Sequence, residues 1–153
     1  MIRPLENSEI PALAAILADL PLMLRYKRTA AAIGADLEAA LARGDGLRVW
    51  DAGAGAEGLS WFFPSGTFGL GGYLRLIAVS PRTHGKGVGT ALLKAFEAGV
   101  ATQSRHAFLL VSSFNTDAQR FYERHGYVRV GSLPALVLPD VDEHIYWKRI
   151  PAP

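Results

Sequence analysis

The chain has 153 residues, half of them hydrophobic and a fifth charged, with a net charge of +2 and no cysteine. That length suits one compact domain, and the missing cysteines exclude disulfides, thiolate metal sites and a cysteine nucleophile. A surplus of two positive charges is too small for a nucleic-acid surface, which needs clustered cations.

The first residues, Met1 to Glu6, carry no signal-peptide hydrophobic region. The most apolar stretch, Ile10 to Leu24, is interrupted by Asp19 and Pro21 and is too short to span a bilayer. A cytoplasmic protein without membrane or nucleic-acid partners is expected.

In chain order, Ile2 to Leu5 reads as a short strand. Asn7 and Ser8 offer capping oxygens to a helix whose apolar face is Ile10, Leu13, Ala14, Leu17 and Leu20, and Pro21 is expected to end it. A polar link containing Arg25, Tyr26, Lys27 and Arg28 leads to a second helix. Thr29 caps it, Ile33, Leu37, Ala40 and Leu41 form its apolar face, and Gly44 stops it. Leu47–Trp50 and Leu59–Phe63 read as a hairpin around the Gly/Ala turn Asp51–Gly58. The glycine-rich stretch Ser65–Gly72 reads as a link to the strand Tyr73–Val79, which Pro81 closes.

Beyond the next loop, Val88, Ala91, Leu92, Ala95, Phe96, Gly99 and Val100 mark the buried face of a strongly patterned helix. Phe108–Val111 is apolar enough for a strand buried on both faces. A short helix follows from about Thr116 to Arg124, then closing strands at Tyr127–Val130 and Glu143–Trp147. Short links make the early strands antiparallel, whereas a helical crossover makes the strands around the Val88 helix parallel. The expected fold is an α/β mixed, twisted sheet of about six to seven strands with helices on both faces, in a single domain spanning residues 1–153.

The chemistry concentrates at His84-Gly85-Lys86-Gly87-Val88-Gly89-Thr90, between a strand and a helix start. Glycines there let the backbone approach a ligand, and amides converging on a helix N-terminus favour a phosphate. Arg82, His84 and Lys86 can add positive charge. A dinucleotide loop needs G-x-G-x-x-G, but here the third glycine arrives one residue early. A Walker loop needs Ser or Thr after its lysine, and Gly87 follows Lys86. Spacing alone also allows a tight turn without a ligand, or a different phosphorylated ligand.

Leu76-Ile77-Ala78-Val79-Ser80-Pro81, this loop, Thr90–Leu93, Asn115 and Phe121–Tyr127 together resemble the GCN5-related N-acetyltransferases, the GNAT family. The likeness is strongest over Tyr73 to Val130. The family loop is [Q/R]-x-x-G-x-[G/A]; Gly87 and Gly89 satisfy its small positions, while His84 stands at the leading one.

The resemblance implies acetyl-CoA as donor, with backbone groups of Ile77, Ala78 and Val79 pairing with the pantetheine arm. It implies that amides from Gly85 to Thr90 hold the pyrophosphate and that Asn115 binds the cofactor arm, besides its alternative use as a helix cap. Tyr122 stands where many members place the hydroxyl that protonates the departing thiolate, and is otherwise a core aromatic. Ile77 and Val79 are expected in the core through their side chains.

No carboxylate lies on Tyr73–Val79 or Phe108–Val111 to serve as base; Asp142, Glu143 and His144 are the remaining candidates, with surface charge as the plainer use. Deprotonating a lysine at neutral pH costs about 4.6 kcal/mol, against about 1 for an α-amine, which tilts the acceptor toward a low-pKa amine. A small-molecule amine or a peptide N-terminus is therefore the expected acceptor. The Arg25–Arg28 run allows an acidic one, and is otherwise a solvated charge run. No metal is expected, a homodimer is an expectation from the family, and a non-catalytic acyl-CoA-binding domain is the alternative.

Overall fold

A computed structural model describes residues 1–151. It contains seven strands and five α-helices among these residues: β1 (Ile2–Pro4), α1 (Ile10–Ala18), α2 (Pro21–Arg25), α3 (Ala30–Arg43), β2 (Gly46–Asp51), β3 (Ala56–Thr67), β4 (Gly71–Val79), α4 (Val88–Ala101), β5 (His106–Ser112), α5 (Thr116–Arg124), β6 (Val128–Leu133) and β7 (Glu143–Arg149). The strands form one sheet in the order β1-β2-β3-β4-β5-β7-β6. β1–β2, β2–β3, β5–β7 and β6–β7 are antiparallel, and β4–β5 is parallel, as the link lengths require.

The chain forms two compact units, one of Met1–Phe62 with Leu76–Gly99, the other of Phe63–Arg75 with Val100 onward. In the first, the apolar stripes of α1 (Ile10, Leu13, Ala14, Leu17) and α3 (Ile33, Leu37, Ala40) bury against Leu47, Val49, Leu59, Trp61 and Ala78. On the other sheet face α4 brings Phe96 onto Phe62, with ring centroids 5.5 Å apart. A Cβ on Gly46 or on Gly99 would stand under 3 Å from the Phe62 ring, so both positions need glycine to admit that aromatic.

In the second unit Ala107, Leu109, Val111, Tyr122, Tyr127 and Tyr146 are buried, and Tyr146 Oη donates to Glu123 of α5 at 2.9 Å.

Thr29 and Gly44 act as predicted. Thr29 Oγ1 accepts from Ala32 N–H at 3.1 Å, and Gly44 takes the left-handed C-cap with φ +81°. Three other expectations are corrected. Asn7 and Ser8 lie within a 3-10 turn, Asn7–Glu9, that precedes α1, and the Glu9 carboxylate accepts from Glu6 N–H. Pro21 starts a helix instead of closing one, because at the first helical position its missing N–H costs nothing.

The Ser65–Gly72 link shrinks to the turn at Phe68–Leu70. Phe68 (φ 55°) and Gly69 (φ 69°) make a type I′ hairpin turn closed by Leu70 N–H on Thr67 O at 2.9 Å. Pro64 does not end β3, since the β2–β3 register reaches only Phe62 and the proline lies past that ladder.

At the start of the chain the Arg3 guanidinium bridges Glu9 (2.5 and 2.8 Å) and Asp51 (2.9 and 3.0 Å). The Arg3 hydrogen bond holds the Glu9 carboxyl below its usual range, while Gly53 N–H first and Arg3 second lower Asp51. A carboxyl depressed in the folded state stabilises the fold above its unfolded pKa, near about 4, and that support disappears as pH falls through the folded value. Arg3→Met is therefore expected to lower the thermal midpoint at neutral pH, with the gap from the parent closing in acid. Melting curves across that range test this, and a gap independent of pH would assign Arg3 a packing role only.

Candidate active site

β4 delivers its C-terminal end to the glycine loop. Ser80 N–H donates to Glu57 O at 2.7 Å, and Ser80 in turn accepts from Arg82 N–H through Oγ (3.3 Å) and from Thr83 N–H through its carbonyl (3.0 Å). Ser80 and Thr83 are both buried, and fix the direction in which the chain leaves the strand. Neither was among the predicted site residues; the Ser-Pro-x-Thr run that makes this turn is their sequence signal. Arg82 folds back onto Glu57 at 3.3 Å, as a surface ion pair of small energetic weight.

His84, Gly85, Lys86 and Gly87 are exposed, Val88 is buried as the first residue of α4, and Gly89 and Thr90 are half-buried in its first turn. Gly85 (φ +79°) and Gly87 (φ +76°) adopt the left-handed conformation that favours glycine, and no atom lies within 4 Å of where a Cβ would stand on either. Ala91 N–H closes the first helical turn on Gly87 O at 3.0 Å. The amides ahead of Ala91 belong to the part of a helix that lacks intrahelical acceptors, where the dipole carries partial positive charge. The loop is open, and it can receive an anion along its main chain.

Of the three predicted strand residues, Ala78 is buried, while Ile77 and Val79 are half-exposed, a reversal of the expected core placement. Side chains alternate along a strand, and here Ala78 shares the α1–α3 face with Leu76, leaving Ile77 and Val79 on the other. The parallel register of β4 on β5 runs over Gly72–Ala107, Tyr73–Phe108 and Leu74–Leu109, so Ile77–Val79 stand past these three pairs.

The remaining predicted residues sit on α5 in the second unit. Asn115 caps the helix, its Oδ1 accepting from Ala118 N–H at 3.2 Å. Tyr122 is buried between Phe121 and Tyr127, edge-to-face at 5.2 and 5.7 Å. Burial first, and the neighbouring Tyr73 second, push its phenol well above the usual tyrosine range. It stays protonated throughout the neutral range, where it can serve as an acid or hydrogen-bond donor and not as a phenolate base.

β5 also departs from expectation. Ala107, Leu109 and Val111 are buried, but Phe108 and Leu110 are half-exposed, so the strand is covered on one face. Among the candidate bases, Asp142 is exposed, and its Oδ1 accepts from Ala135 N–H at 3.2 Å. Glu143 and His144 are buried, contrary to their reading as surface charge. Ser112 Oγ donates to Glu143 at 3.2 Å, and Ser132 Oγ lies 2.7 Å from His144 Nδ1. An apolar groove of about 320 Å³ between Leu70, His106, Phe108, Val130 and Trp147 contains none of the predicted residues. No helix among the described residues is long and apolar enough to cross a membrane.

Residues 42–129, more than half of the chain, match the family model of the acetyltransferase (GNAT) domain. No curated protein matches by sequence. Among solved structures, Ard1 from Thermoplasma volcanium is similar at 24% identity and TM-score 0.81, over 99% of this chain and 97% of that one. An aminoglycoside 6'-N-acetyltransferase complexed with coenzyme A is 17% identical with TM-score 0.81, over 100% and 99%. The structure of yncA from Salmonella typhimurium with its cofactor acetyl-CoA is 16% identical with TM-score 0.74, over 99% and 94%.

Proposed function

The chain belongs to the GNAT acetyltransferase family, and from that premise we propose that it transfers the acetyl group of acetyl-CoA to a primary amine by direct attack. The observation that carries this reading is the open loop, with left-handed Gly85 and Gly87 leading into the N-terminus of α4 and no protein atom near either absent Cβ. Two similar structures with coenzyme A or acetyl-CoA support the choice of cofactor.

In this reading the amides of Gly85, Lys86, Gly87, Val88, Gly89 and Thr90 hold the pyrophosphate, with His84 and Lys86 at the rim. Backbone groups of Ile77, Ala78 and Val79 pair with the pantetheine arm, and Asn115 contributes the part of its amide that the helix cap does not use. The amine attacks the thioester carbonyl, the Val79 amide steadies the oxyanion, and the intermediate expels the thiolate. Tyr122 hydrogen-bonds that thiolate through its hydroxyl as charge develops. Acceptors with a low amine pKa, such as peptide N-termini, react most readily at neutral pH.

Thermal denaturation with acetyl-CoA, coenzyme A and ATP tests the cofactor. A ligand at about a hundred times its Kd adds about 2.7 kcal/mol, equivalent to about 5–10 °C for a chain of this length. Stabilisation by acetyl-CoA and coenzyme A is expected; stabilisation by ATP alone refutes the assignment. Thiol release with an amine panel then separates an enzyme from a binding domain.

A further inference from the structure

Phe108, Leu110 and Ser112 alternate along β5 and therefore share one sheet face. Register adds Tyr73 opposite Phe108 from β4, and Trp147, Ile145 and Glu143 opposite Phe108, Leu110 and Ser112 from β7. The reverse face carries Leu109, Val111, His144 and Tyr146, all buried. On the first face Tyr73, Phe108, Leu110, Ile145 and Trp147 are half-exposed, an apolar surface with a single carboxylate recessed at its margin.

That carboxylate, Glu143, is 6% exposed, and it is the only acidic residue in the buried set among the described residues. Ser112 Oγ–H donates to it at 3.2 Å and helps to fix its orientation. Its charge is felt by the Tyr73 phenol, which burial, chiefly, and Glu143 raise against the opposing effect of Arg75. Tyr73 in turn raises Tyr122, so the carboxylate and both phenols act within one electrostatic neighbourhood.

We propose that Glu143 is an acceptor-binding residue, its carboxylate receiving the ammonium of a primary amine whose apolar body lies over Leu110 and Ile145. The inference rests on the acetyl-transfer reading above and narrows its acceptor to cationic amines with an apolar substituent. The ammonium gives one proton to solvent, and its lone pair then attacks the acetyl carbon. The C–N bond forms and the C–S bond breaks; the second nitrogen proton is lost to solvent, and the thiolate, hydrogen-bonded by Tyr122, takes its proton from solvent. Glu143 supplies position and charge preference.

Phenethylamine, cationic at neutral pH, and aniline, neutral there, are the probes. The parent chain is expected to show the lower KM for phenethylamine, although the higher pKa of that amine leaves less of the neutral form that reacts. Glu143→Gln keeps the Ser112 contact and the shift given by acetyl-CoA, raises KM for phenethylamine about tenfold or more, and leaves aniline within about twofold. Glu143→Asp, which keeps the charge, recovers part of the loss and guards against a folding defect in the amide variant. An equal loss on both probes, an unchanged KM, or a parent chain that binds acetyl-CoA yet shows no lower KM for phenethylamine overturns the role of Glu143. A parent chain stabilised by neither acetyl-CoA nor coenzyme A overturns the transfer reading instead.

Discussion

Valine in place of Gly87 is expected to abolish the thermal stabilisation that acetyl-CoA confers. Gly87 has φ +76°, and its carbonyl starts α4 by accepting from Ala91 N–H at 3.0 Å. A β-branched residue held in that left-handed conformation costs about 1–2 kcal/mol, so the ligand-free variant should melt somewhat lower. That strain is not the main effect. No protein atom lies within 4 Å of the absent Cβ, which means the new side chain fills the space in front of the helix amides instead of the core.

Gly53→Val provides the control, because Gly53 has φ +101° with equally open surroundings in the β2–β3 turn. It should suffer comparable strain while keeping the full ligand shift. Undiminished affinity in the Gly87 variant would place the phosphates elsewhere on the molecule.

The contrast between these glycines and Glu143 explains which parts of the molecule were legible in the sequence. The strand, loop and helix around Gly85–Gly89 are contiguous, so their chemistry is written in neighbouring residues with characteristic spacing. Thr29 and Gly44 are equally local, since a cap acts within one turn of the helix it terminates.

Glu143 and Ser112 are 31 residues apart, and they meet only because β7 returns antiparallel beside β5. Nothing in the dipeptide Glu143-His144 distinguishes a buried carboxylate from a solvated one, and the apolar run Phe108–Val111 gave no hint that one face would stay open. The same limit applies to β3, which the sequence reading ends at Phe63 and which runs on to Thr67 past the β2 ladder. α2 was hidden for a related reason: proline breaks one helix and begins another, and only the fold selects between these uses.

Tyr122→Phe tests the acid step, and the expected result is a fall in kcat of about 10²- to 10⁴-fold, with the acetyl-CoA thermal shift retained. The raised pKa sharpens what the hydroxyl is asked to do. Even an unperturbed phenol, with a pKa of about 10, gives up a proton to a thiolate of about 8.5 at a cost of roughly 2 kcal/mol. Burial beside Tyr73 makes complete transfer costlier still, so the hydroxyl contributes by hydrogen-bonding the sulfur as charge develops, and solvent completes the protonation.

Two consequences follow for pH dependence. The rate profile should show no alkaline limb from Tyr122 in the range where enzymes are usually assayed. The stability that its neutral form contributes is fully present below the unfolded phenol pKa and is lost as pH rises toward the raised folded value. The phenylalanine variant should therefore resist alkaline unfolding better than the parent, while differing little from it at neutral pH. An unchanged kcat would remove Tyr122 from the chemistry and leave it as one aromatic of the packed set with Phe121 and Tyr127.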